Sequence, residues 1–335
     1  MSRQHGVESG EDRLIARYFE PLAKHPGAFA LVDDAAAIVP PAGCDLVLKA
    51  DGIVGGVHFF PDDPPDTIAR KALRVNLSDL AAKGAKPLGF LLTLALPKEL
   101  GDAWLAPFAR GLGDDADVFG CPLFGGDTVR TPGPVSVSIA VFGAVPHGTM
   151  VRRAGAKPGD RVIVTGTIGD AALGLRLRRD ASAARRWRLG RPEERHLETR
   201  YLVPEPRGAI ADVLREYASA AMDVSDGLAG DLGKLCRASG VAADIEIASI
   251  PLSDAARLAV ANEPEQIETI MTGGDDFEIL ACVPADNVDA LCRRAAAADV
   301  AVTEIGTVAA GEGQTRFRDR QGNMLVFARP SFSHF

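Results

Sequence analysis

Apolar residues follow two periods along the first half of the chain. Three runs, Leu46 to Ala50, Phe90 to Leu96 and Val135 to Val145, are rich in apolar and β-branched residues, and the third begins with alternate apolar positions. This period of two predicts β-strands. Thr67 to Ala85 and Ala103 to Val118 carry apolar residues at helical spacing, which predicts two helices between the strands. Alternating strands and helices are typical of an α/β domain.

The pattern changes near residue 148. Pro146-His147-Gly148 closes the first set of elements, and the turn-forming sequence from Gly155 to Asp160 leads into a predicted strand, Arg161 to Thr165. The chain has 335 residues, and a domain takes roughly 150. We therefore predict an N-terminal domain over residues 1–148 and a C-terminal domain over residues 149–335.

Two segments of the second half have their own patterns. Thr315 to Asp319 and Met324 to Phe327 flank Gln321-Gly322-Asn323, which predicts a β-hairpin. The segment from Arg176 to Arg200 is dense in arginine and glutamate and has few large apolar residues, so we predict an exposed helical excursion in which Trp187 lies at the surface.

The amino-acid composition argues against several classes of function. The formal net charge of −8 disfavours a general polyanion-binding surface, so we expect no nucleic-acid partner. The five cysteines are scattered and form no Cys-x-x-Cys pair, as expected for reduced thiols in a cytoplasmic protein. The polar start lacks the apolar core of a signal peptide, and the run Leu88 to Leu96 is too short to span a bilayer, so we expect no membrane partner.

Aspartates are the informative residues. The chain has no Walker-type loop, Gly-x-Gly-x-x-Gly, His-Glu-x-x-His or Gly-x-Ser-x-Gly, so the common nucleotide-binding and hydrolase folds lose support. Each acidic motif alone is typical of a turn, and a helix N-cap explains Ser225 or Asp226 equally well. Acidic residues recur beside small ones in six places: Asp33-Asp34-Ala35-Ala36, Ala50-Asp51-Gly52, Asn76-Leu77-Ser78-Asp79, Gly125-Gly126-Asp127-Thr128, Asp223-Val224-Ser225-Asp226-Gly227 and Gly273-Gly274-Asp275-Asp276.

These carboxylates would need cations if they converged. Two of them about 4 Å apart repel by about 4 kcal/mol at an effective dielectric near 20. Oxygen ligands without histidine or cysteine favour Mg²⁺, which binds one or two carboxylates together with substrate phosphates. Glycines before the carboxylate, as at Gly125-Gly126 and Gly273-Gly274, let a phosphate approach backbone amides. The pattern indicates a phosphate and magnesium site without a P-loop.

The chain closely resembles the thiamine-monophosphate kinases, within the family related to aminoimidazole ribonucleotide synthetase. The resemblance runs in order over nearly the whole chain, and so many ordered matches are far more specific than any one of them. They comprise Gly10-Glu11, Asp33-Asp34-Ala35-Ala36, Gly56-Val57-His58-Phe59, Lys71-Ala72-Leu73, Asn76-Leu77-Ser78-Asp79, Gly125-Gly126-Asp127-Thr128, Arg153 with Gly155 to Asp160, Thr165 to Asp170, Asp223 to Leu228, Gly273 to Glu278 and His334-Phe335.

The resemblance implies an α/β (α+β) fold of two domains, in which an N-terminal sheet-containing domain binds ATP and dimerises and a C-terminal α/β domain contributes to the nucleotide and substrate site. It implies ATP-dependent phosphorylation of thiamine monophosphate to thiamine diphosphate, the last step of thiamine diphosphate biosynthesis, by a homodimer with several Mg²⁺ ions. The site residues that it implies are Asp34, Asp51, Asp79, Asp127, Asp223 and Asp226 for magnesium, Gly126, Asp127, Arg153 and Ser225 for ATP, and His58, Asp275 and Phe332 for the substrate.

Four departures from the family pattern bear on these roles. Val32 replaces the glycine usual before the acidic pair, and Lys49-Ala50 replaces hydroxyl residues that would bind one magnesium ion. We hypothesise that the Lys49 ammonium partly replaces the charge of that ion. Asp275 is one methylene shorter than the usual glutamate, and the terminal segment around Phe332 lacks the glycine often found there.

The chemistry of the acceptor removes the need for a general base. A phosphate monoester has a second pKa of about 6, so at pH 7 it is mostly a dianion and already a nucleophile. We therefore predict direct in-line, magnesium-assisted transfer without a phosphoenzyme, and a contact role for His58. Without the resemblance, Arg153 is equally well explained by an interdomain salt bridge.

Other functions stay open on sequence grounds. A relative such as a purine-pathway synthetase or selenophosphate synthetase would share the fold, although Cys44 does not lie in a reactive motif near the N-terminus. A non-catalytic acidic module would bind Ca²⁺ or Mg²⁺ for structure. A metal-dependent phosphatase would share the carboxylates and admit water.

Overall fold

The computed structural model describes residues 10–329 and residue 331. Within them the chain packs as two compact units, one of residues 10–76 and 87–144 and the other of residues 77–86 and 145–331. Phe332, which we predict to contact the substrate, lies outside the described residues. Among the described helices, none combines the length and the hydrophobicity needed to cross a membrane.

Unit 1 is built on a four-stranded sheet with the strand order β1-β4-β2-β3. Strands β2 and β3 pair in parallel, so Leu91 lies beside Gly125 and Thr93 beside Asp127. The elements are α1 Gly10–Leu14, β1 Cys44–Val54, α2 Pro65–Ala82, β2 Lys86–Leu96, α3 Asp102–Val118, β3 Leu123–Arg130 and β4 Ser136–Pro146, with short helical turns at Ile15–Phe19, Glu20–Leu22 and Pro26–Leu31.

Alternation along the strands separates a buried face of the sheet from an open one. Leu92, Leu94 and Leu96 of β2 are buried, whereas Leu91 is 43% exposed. The predicted strands and helices of this half are confirmed. The sequence pattern does not predict strand β3, because Gly125-Gly126-Asp127 is typical of a turn. Pairing with β2 extends the backbone there instead.

Unit 2 contains a seven-stranded mixed sheet with the strand order β11-β10-β7-β9-β5-β8-β6. Its strands are β5 Arg161–Thr165, β6 Ala220–Asp223, β7 Val241–Glu246, β8 Ile279–Val283, β9 Val302–Ala310, β10 Thr315–Arg318 and β11 Met324–Leu325. Its helices are α4 Asp170–Arg179, α5 Ala183–Arg186, α6 Arg191–Leu202, α7 Ala211–Tyr217, α8 Leu228–Ser239, α9 Asp254–Asn262, α10 Gln266–Thr272 and α11 Val288–Ala297, with single turns at Gly208–Ile210, Ile247–Ser249 and Ala285–Asn287.

The sheet of unit 2 has a hydrophobic core on each face. Val162 and Val164 of β5 belong to one core, and Ile163, between them, belongs to the other. Helices α4, α6 and α8 supply the first core, and α7 and α11 supply the second. The predicted strand Arg161 to Thr165 and the C-terminal hairpin are confirmed, the latter as an antiparallel pair of β10 and β11.

The arginine-rich excursion is anchored by an aromatic residue. The prediction that Trp187 lies at the surface is wrong, because its side chain is fully buried. Trp187 packs with Ala183 and Leu197 in the first core, and its indole nitrogen donates to Glu263 Oε2 at 2.8 Å. The buried indole supplies apolar contact area to a segment that has few other large apolar residues, and its N–H group keeps a hydrogen-bond partner.

Candidate functional site

A cavity of about 810 Å³ opens in unit 1 beside strands β2 and β3. Its lining includes Asp33, Asp34, Gly125 and Gly126 among apolar side chains. A Cβ atom on Gly126 would lie 1.8 Å from the carbonyl oxygen of Leu92, so only glycine fits between the two strands. The acidic pair and the paired glycines are therefore brought together at one cavity.

The chain reaches Asp33-Asp34 through an unusual backbone. Phe29, Ala30 and Leu31 have φ values of 49°, 52° and 56°, in the left-handed region that disfavours residues with a Cβ atom. Val32 follows them and is 85% exposed. The backbone strain in this loop therefore falls on the residues that precede Val32.

Asp51 lies near the end of the edge strand β1. Its backbone N–H donates to the Asn76 side-chain oxygen at 2.9 Å, and Asn76 is fully buried and donates in turn to Ala72 O at 3.0 Å. The Lys49 ammonium lies 3.1 Å from Asp51 Oδ1. The ammonium of Lys49 therefore lies beside Asp51, a predicted magnesium ligand.

His58 follows β1 in a defined orientation. The backbone N–H of Val54 donates to His58 Nδ1 at 3.0 Å. Since Nδ1 accepts this bond, Nε2 carries the ring proton when the imidazole is neutral. The ammonium of Lys71, which is buried, donates to the His58 carbonyl at 3.0 Å and fixes the main chain. His58 is thus a hydrogen-bond donor through Nε2.

In unit 2, two loops that contain predicted site residues lie side by side. The backbone N–H of Asp275 donates to Ser225 O at 2.9 Å, and the N–H of Phe277 donates to Val224 O at 2.8 Å. A Cβ atom on Gly274 would lie 2.4 Å from Ser225 O. The contact between the two loops therefore requires glycine at this position, and it brings Ser225 and Asp275 together.

The second loop also contains strained residues and touches α2. Asp275 and Phe277 have φ values of 73° and 50°, and non-glycine residues in this region cluster at functional sites. The Ser78 hydroxyl donates to Phe277 O at 3.3 Å. Asp79 is the next residue of α2 after Ser78 and is half-buried.

Asp226 is held by two residues of α8. One carboxylate oxygen of Asp231 accepts the backbone N–H groups of Ser225 at 3.0 Å and Asp226 at 2.9 Å. Its other oxygen lies 2.7 Å from the Lys234 ammonium, which also donates to the Asp226 carboxylate. Burial lowers the pKa of Lys234, but its hydrogen bonds to both carboxylates outweigh this effect and raise the pKa overall.

Behind the second loop lies a buried ionic network that the sequence did not reveal. Glu278 is fully buried and accepts from Arg200 at 2.7 Å, from Arg207 Nε at 2.7 Å and from the Thr165 hydroxyl at 2.6 Å. Asp276 accepts the Gly169 N–H at 2.8 Å at the start of α4, and burial raises its pKa well above the usual range. Both acidic residues therefore support the loop, whereas Asp275 is left at its surface.

The structure does not bring Arg153 to Ser225. The Arg153 carbonyl accepts from the Ser239 hydroxyl at 3.2 Å, at the last residue of α8. Ser225 lies before the first turn of the same helix, whose 12 residues span about 18 Å. A nucleotide contact from Arg153 stays a prediction.

The donor set fits a hard cation. The predicted ligands offer only carboxylate oxygens, and the Asp51 and Asp226 carboxylates each attract a lysine ammonium. Among the residues that the structure describes, no three histidine, cysteine, aspartate or glutamate side chains are grouped closely enough to hold a metal ion. The predicted ligands therefore have the donor chemistry that Mg²⁺ requires, although the described residues do not gather three of them at one point.

Comparisons with known proteins agree with this fold. The AIR synthase related protein, N-terminal domain, family matches residues 32–145, and the AIR synthase related protein, C-terminal domain, family matches residues 157–319. The α/β fold and its acidic, glycine-rich loops therefore define an AIR synthase related protein.

Individual proteins that resemble most of this chain indicate a narrower family. Thiamine-monophosphate kinase from Caulobacter vibrioides is 42% identical over 90% of this chain and 85% of its own length. The crystal structure of thiamine-monophosphate kinase from Stenotrophomonas maltophilia K279a has a TM-score of 0.81 at 37% identity and covers 94% of this chain and 96% of its own. AaThiL complexed with AMPPCP and TMP has a TM-score of 0.76 at 29% identity, with coverage of 92% and 97%. The chain belongs to the thiamine-monophosphate kinase family, which confirms the predicted family and fold class.

Proposed function

We propose that this protein transfers the γ-phosphoryl group of ATP to the phosphate of thiamine monophosphate and thereby produces thiamine diphosphate and ADP. One observation of the chain itself carries the proposal. The Ser225 loop and the Asp275 loop are joined by a hydrogen bond of 2.9 Å, and Gly274 is the residue that lets them touch. A phosphoryl transfer enzyme needs a nucleotide contact and an acceptor contact held side by side in this way.

The acidic residues are proposed to hold magnesium ions. The proposed ligands are Asp34, Asp51, Asp79, Asp127, Asp223 and Asp226. Bound Mg²⁺ would neutralise the phosphates and stabilise the charge that develops during transfer. Asp223 ends β6 with little exposed surface, and Asp226 follows it closely along the chain, so two of the proposed ligands are near each other in sequence.

The remaining residues bind and orient the reactants. Gly126 lines the cavity while it packs closely against Leu92 O, and phosphate oxygens are proposed to approach its main chain from the cavity side. His58 is suited to donate a hydrogen bond to the substrate through Nε2, because Nδ1 already accepts one. We assign no general base, since the acceptor phosphate is already a dianion.

The ion pair of Lys49 and Asp51 supports our hypothesis for that position. An ammonium 3.1 Å from the carboxylate supplies positive charge where the family uses hydroxyl residues and a metal ion. We expect Lys49→Thr to bind more magnesium in the nucleotide complex than the wild-type protein does, as counted by atomic emission after rapid gel filtration. Identical metal content in the two proteins would contradict the hypothesis.

A homodimer is proposed on the open face of unit 1. Leu46 and Leu48 project from the edge strand β1 with 41% and 73% of their surface exposed, and Leu91 and Val129 of β2 and β3 are also exposed. An edge strand with an apolar face is a natural site for pairing with a second chain. A second copy of this chain would cover these residues.

The cytoplasm is the proposed location. All five cysteines of the chain are free thiols, and three of them are buried in the cores. Proteins in oxidising compartments more often use cysteines in disulfides, whereas free thiols persist in a reducing one.

Product analysis tests the proposed activity. The protein is incubated with ATP, Mg²⁺ and either thiamine monophosphate or thiamine, and the products are separated by chromatography. We expect thiamine diphosphate and ADP in equal amounts from the monophosphate and no product from thiamine. Release of inorganic phosphate without thiamine diphosphate would indicate a phosphatase, and consumption of no ATP would indicate a binding module.

A further inference from the structure

The first two turns of α8 contain an acidic residue and a lysine that act together on the proposed magnesium ligand Asp226. Asp231 is fully buried, and Lys234 lies one turn further along the helix with 31% of its side chain exposed. Both contact the segment from Ser225 to Asp226 that precedes the helix. We propose that Lys234 is a resident counter-cation of Asp226 that a divalent ion must displace, and that Asp231 is the positioning residue that retains Lys234 afterwards.

Asp231 fixes the turn independently of any ion. A single oxygen, Oδ2, accepts two consecutive backbone N–H groups, which sets the direction of the main chain at Ser225 and Asp226. Hydrogen bonds to a charged carboxylate are stronger than neutral ones. Because Asp231 is buried and uses its other oxygen for Lys234, both of its oxygens are already engaged by groups of this chain.

Lys234 bridges the two carboxylates. Its ammonium lies 2.7 Å from Asp231 Oδ1 and also donates to Asp226 Oδ2. A divalent ion on Asp226 repels this ammonium, and in the proposal the bond to Asp226 breaks when the ion binds. The bond to Asp231 need not break, and it keeps the displaced ammonium in the site.

The consequence is a lower affinity for divalent ions when no nucleotide is bound. A bare divalent ion must compete with Lys234, whereas an ion that arrives with nucleotide phosphates brings additional oxygen ligands. Lys234 therefore lowers the affinity of the free protein for divalent ions and favours binding of the metal together with the nucleotide. This inference rests on the proposed role of Asp226 as a magnesium ligand.

Mn²⁺ binding to the nucleotide-free, full-length protein tests the inference, with free Mn²⁺ measured by electron paramagnetic resonance. An ion pair of this partial exposure changes an equilibrium constant by roughly fivefold. We therefore expect Lys234→Gln to bind Mn²⁺ roughly fivefold more tightly, while Lys234→Arg and the exposed control Lys157→Gln match the wild-type protein. The gain should vanish when Asp226→Asn is combined with Lys234→Gln.

The variants separate failure of this inference from failure of the proposed site. If Asp226→Asn weakens Mn²⁺ binding but Lys234→Gln leaves it unchanged or weaker, Asp226 is a ligand and the counter-cation role of Lys234 is wrong. If Asp226→Asn has no effect on Mn²⁺ binding, the proposed ligand set itself is wrong and the inference falls with it. Thermal unfolding gives a second readout, because the stabilisation that added Mn²⁺ produces should be larger in Lys234→Gln than in the wild-type protein.

Discussion

The contact between the two loops of unit 2 can be broken by a single methyl group. In Gly274→Ala the new Cβ atom would lie 2.4 Å from Ser225 O. An ordinary carbon–oxygen contact of about 3.4 Å requires about 1 Å of additional separation. The bond from the Asp275 N–H to Ser225 O would then lengthen from 2.9 Å to about 3.9 Å, beyond hydrogen-bonding distance.

The expected effect falls on activity more than on folding. A misplacement of about 1 Å between reacting groups costs roughly 100-fold in rate, whereas overpacking at one site costs about 1–3 kcal/mol of stability. We therefore expect kcat/KM for thiamine monophosphate to fall roughly 100-fold in a coupled assay of ADP release, with the protein still folded by circular dichroism.

Gly208→Ala is the matched control, because a Cβ atom at Gly208 meets nothing within 4 Å. We expect this variant to retain wild-type activity. If Gly274→Ala stays within threefold of the wild-type kcat/KM, the juxtaposition of the two loops does not govern catalysis and the reasoning is refuted.

Three further predictions concern the stability of the protein and its oligomeric state. Hydrogen bonding to Asp170 raises the pKa of His196, so its contribution to stability is full below its ordinary pKa of about 6.5 and is lost as the pH rises through the raised value. The difference in unfolding free energy between the wild-type protein and His196→Gln should therefore be larger at pH 5.5 than at pH 9 in urea titrations; an equal difference at both would contradict this. Glu278→Ala removes the buried carboxylate 2.7 Å from the Arg200 guanidinium, which keeps the more exposed Glu205 at 3.3 Å as an ionic partner, and should cost about 3–5 kcal/mol in urea unfolding. A loss below about 1 kcal/mol would show that the network is dispensable. Leu48→Glu places a charge on the open face of β1 and should convert a dimer into a monomer by light scattering, which a variant that stays dimeric would contradict.

The sequence predicts the helices and strands of this fold well where apolar residues recur at a regular spacing. The alternation from Val135 predicts β4, and the helical spacing from Ala103 predicts α3. It fails at β3, because Gly125 and Gly126 have the composition of a turn and only pairing with β2 reveals the strand. It fails also at Trp187, whose burial depends on a core formed by distant segments.

Only part of the candidate site can be predicted from the sequence. The acidic and glycine-rich motifs point to phosphate and metal chemistry because their residue types are unusual when they recur together. The roles of Arg200, Arg207 and Lys234 leave no comparable signal, since a lone basic residue in a helix or a loop is typical of a solvated surface. Their partners lie far along the chain, as with Arg200 and Glu278, or depend on the rotation of one helical turn, as with Lys234 and Asp231.

A single-turnover experiment with ATP labelled in its γ-phosphate tests direct transfer to thiamine monophosphate most directly. The enzyme, in excess over ATP, is mixed with Mg²⁺ and thiamine monophosphate and quenched with acid at intervals. We expect the label to pass from ATP into thiamine diphosphate at every time point, with none on the protein and none in inorganic phosphate. Label that first accumulates on the protein, or that is released as phosphate while thiamine monophosphate remains unchanged, would contradict the account.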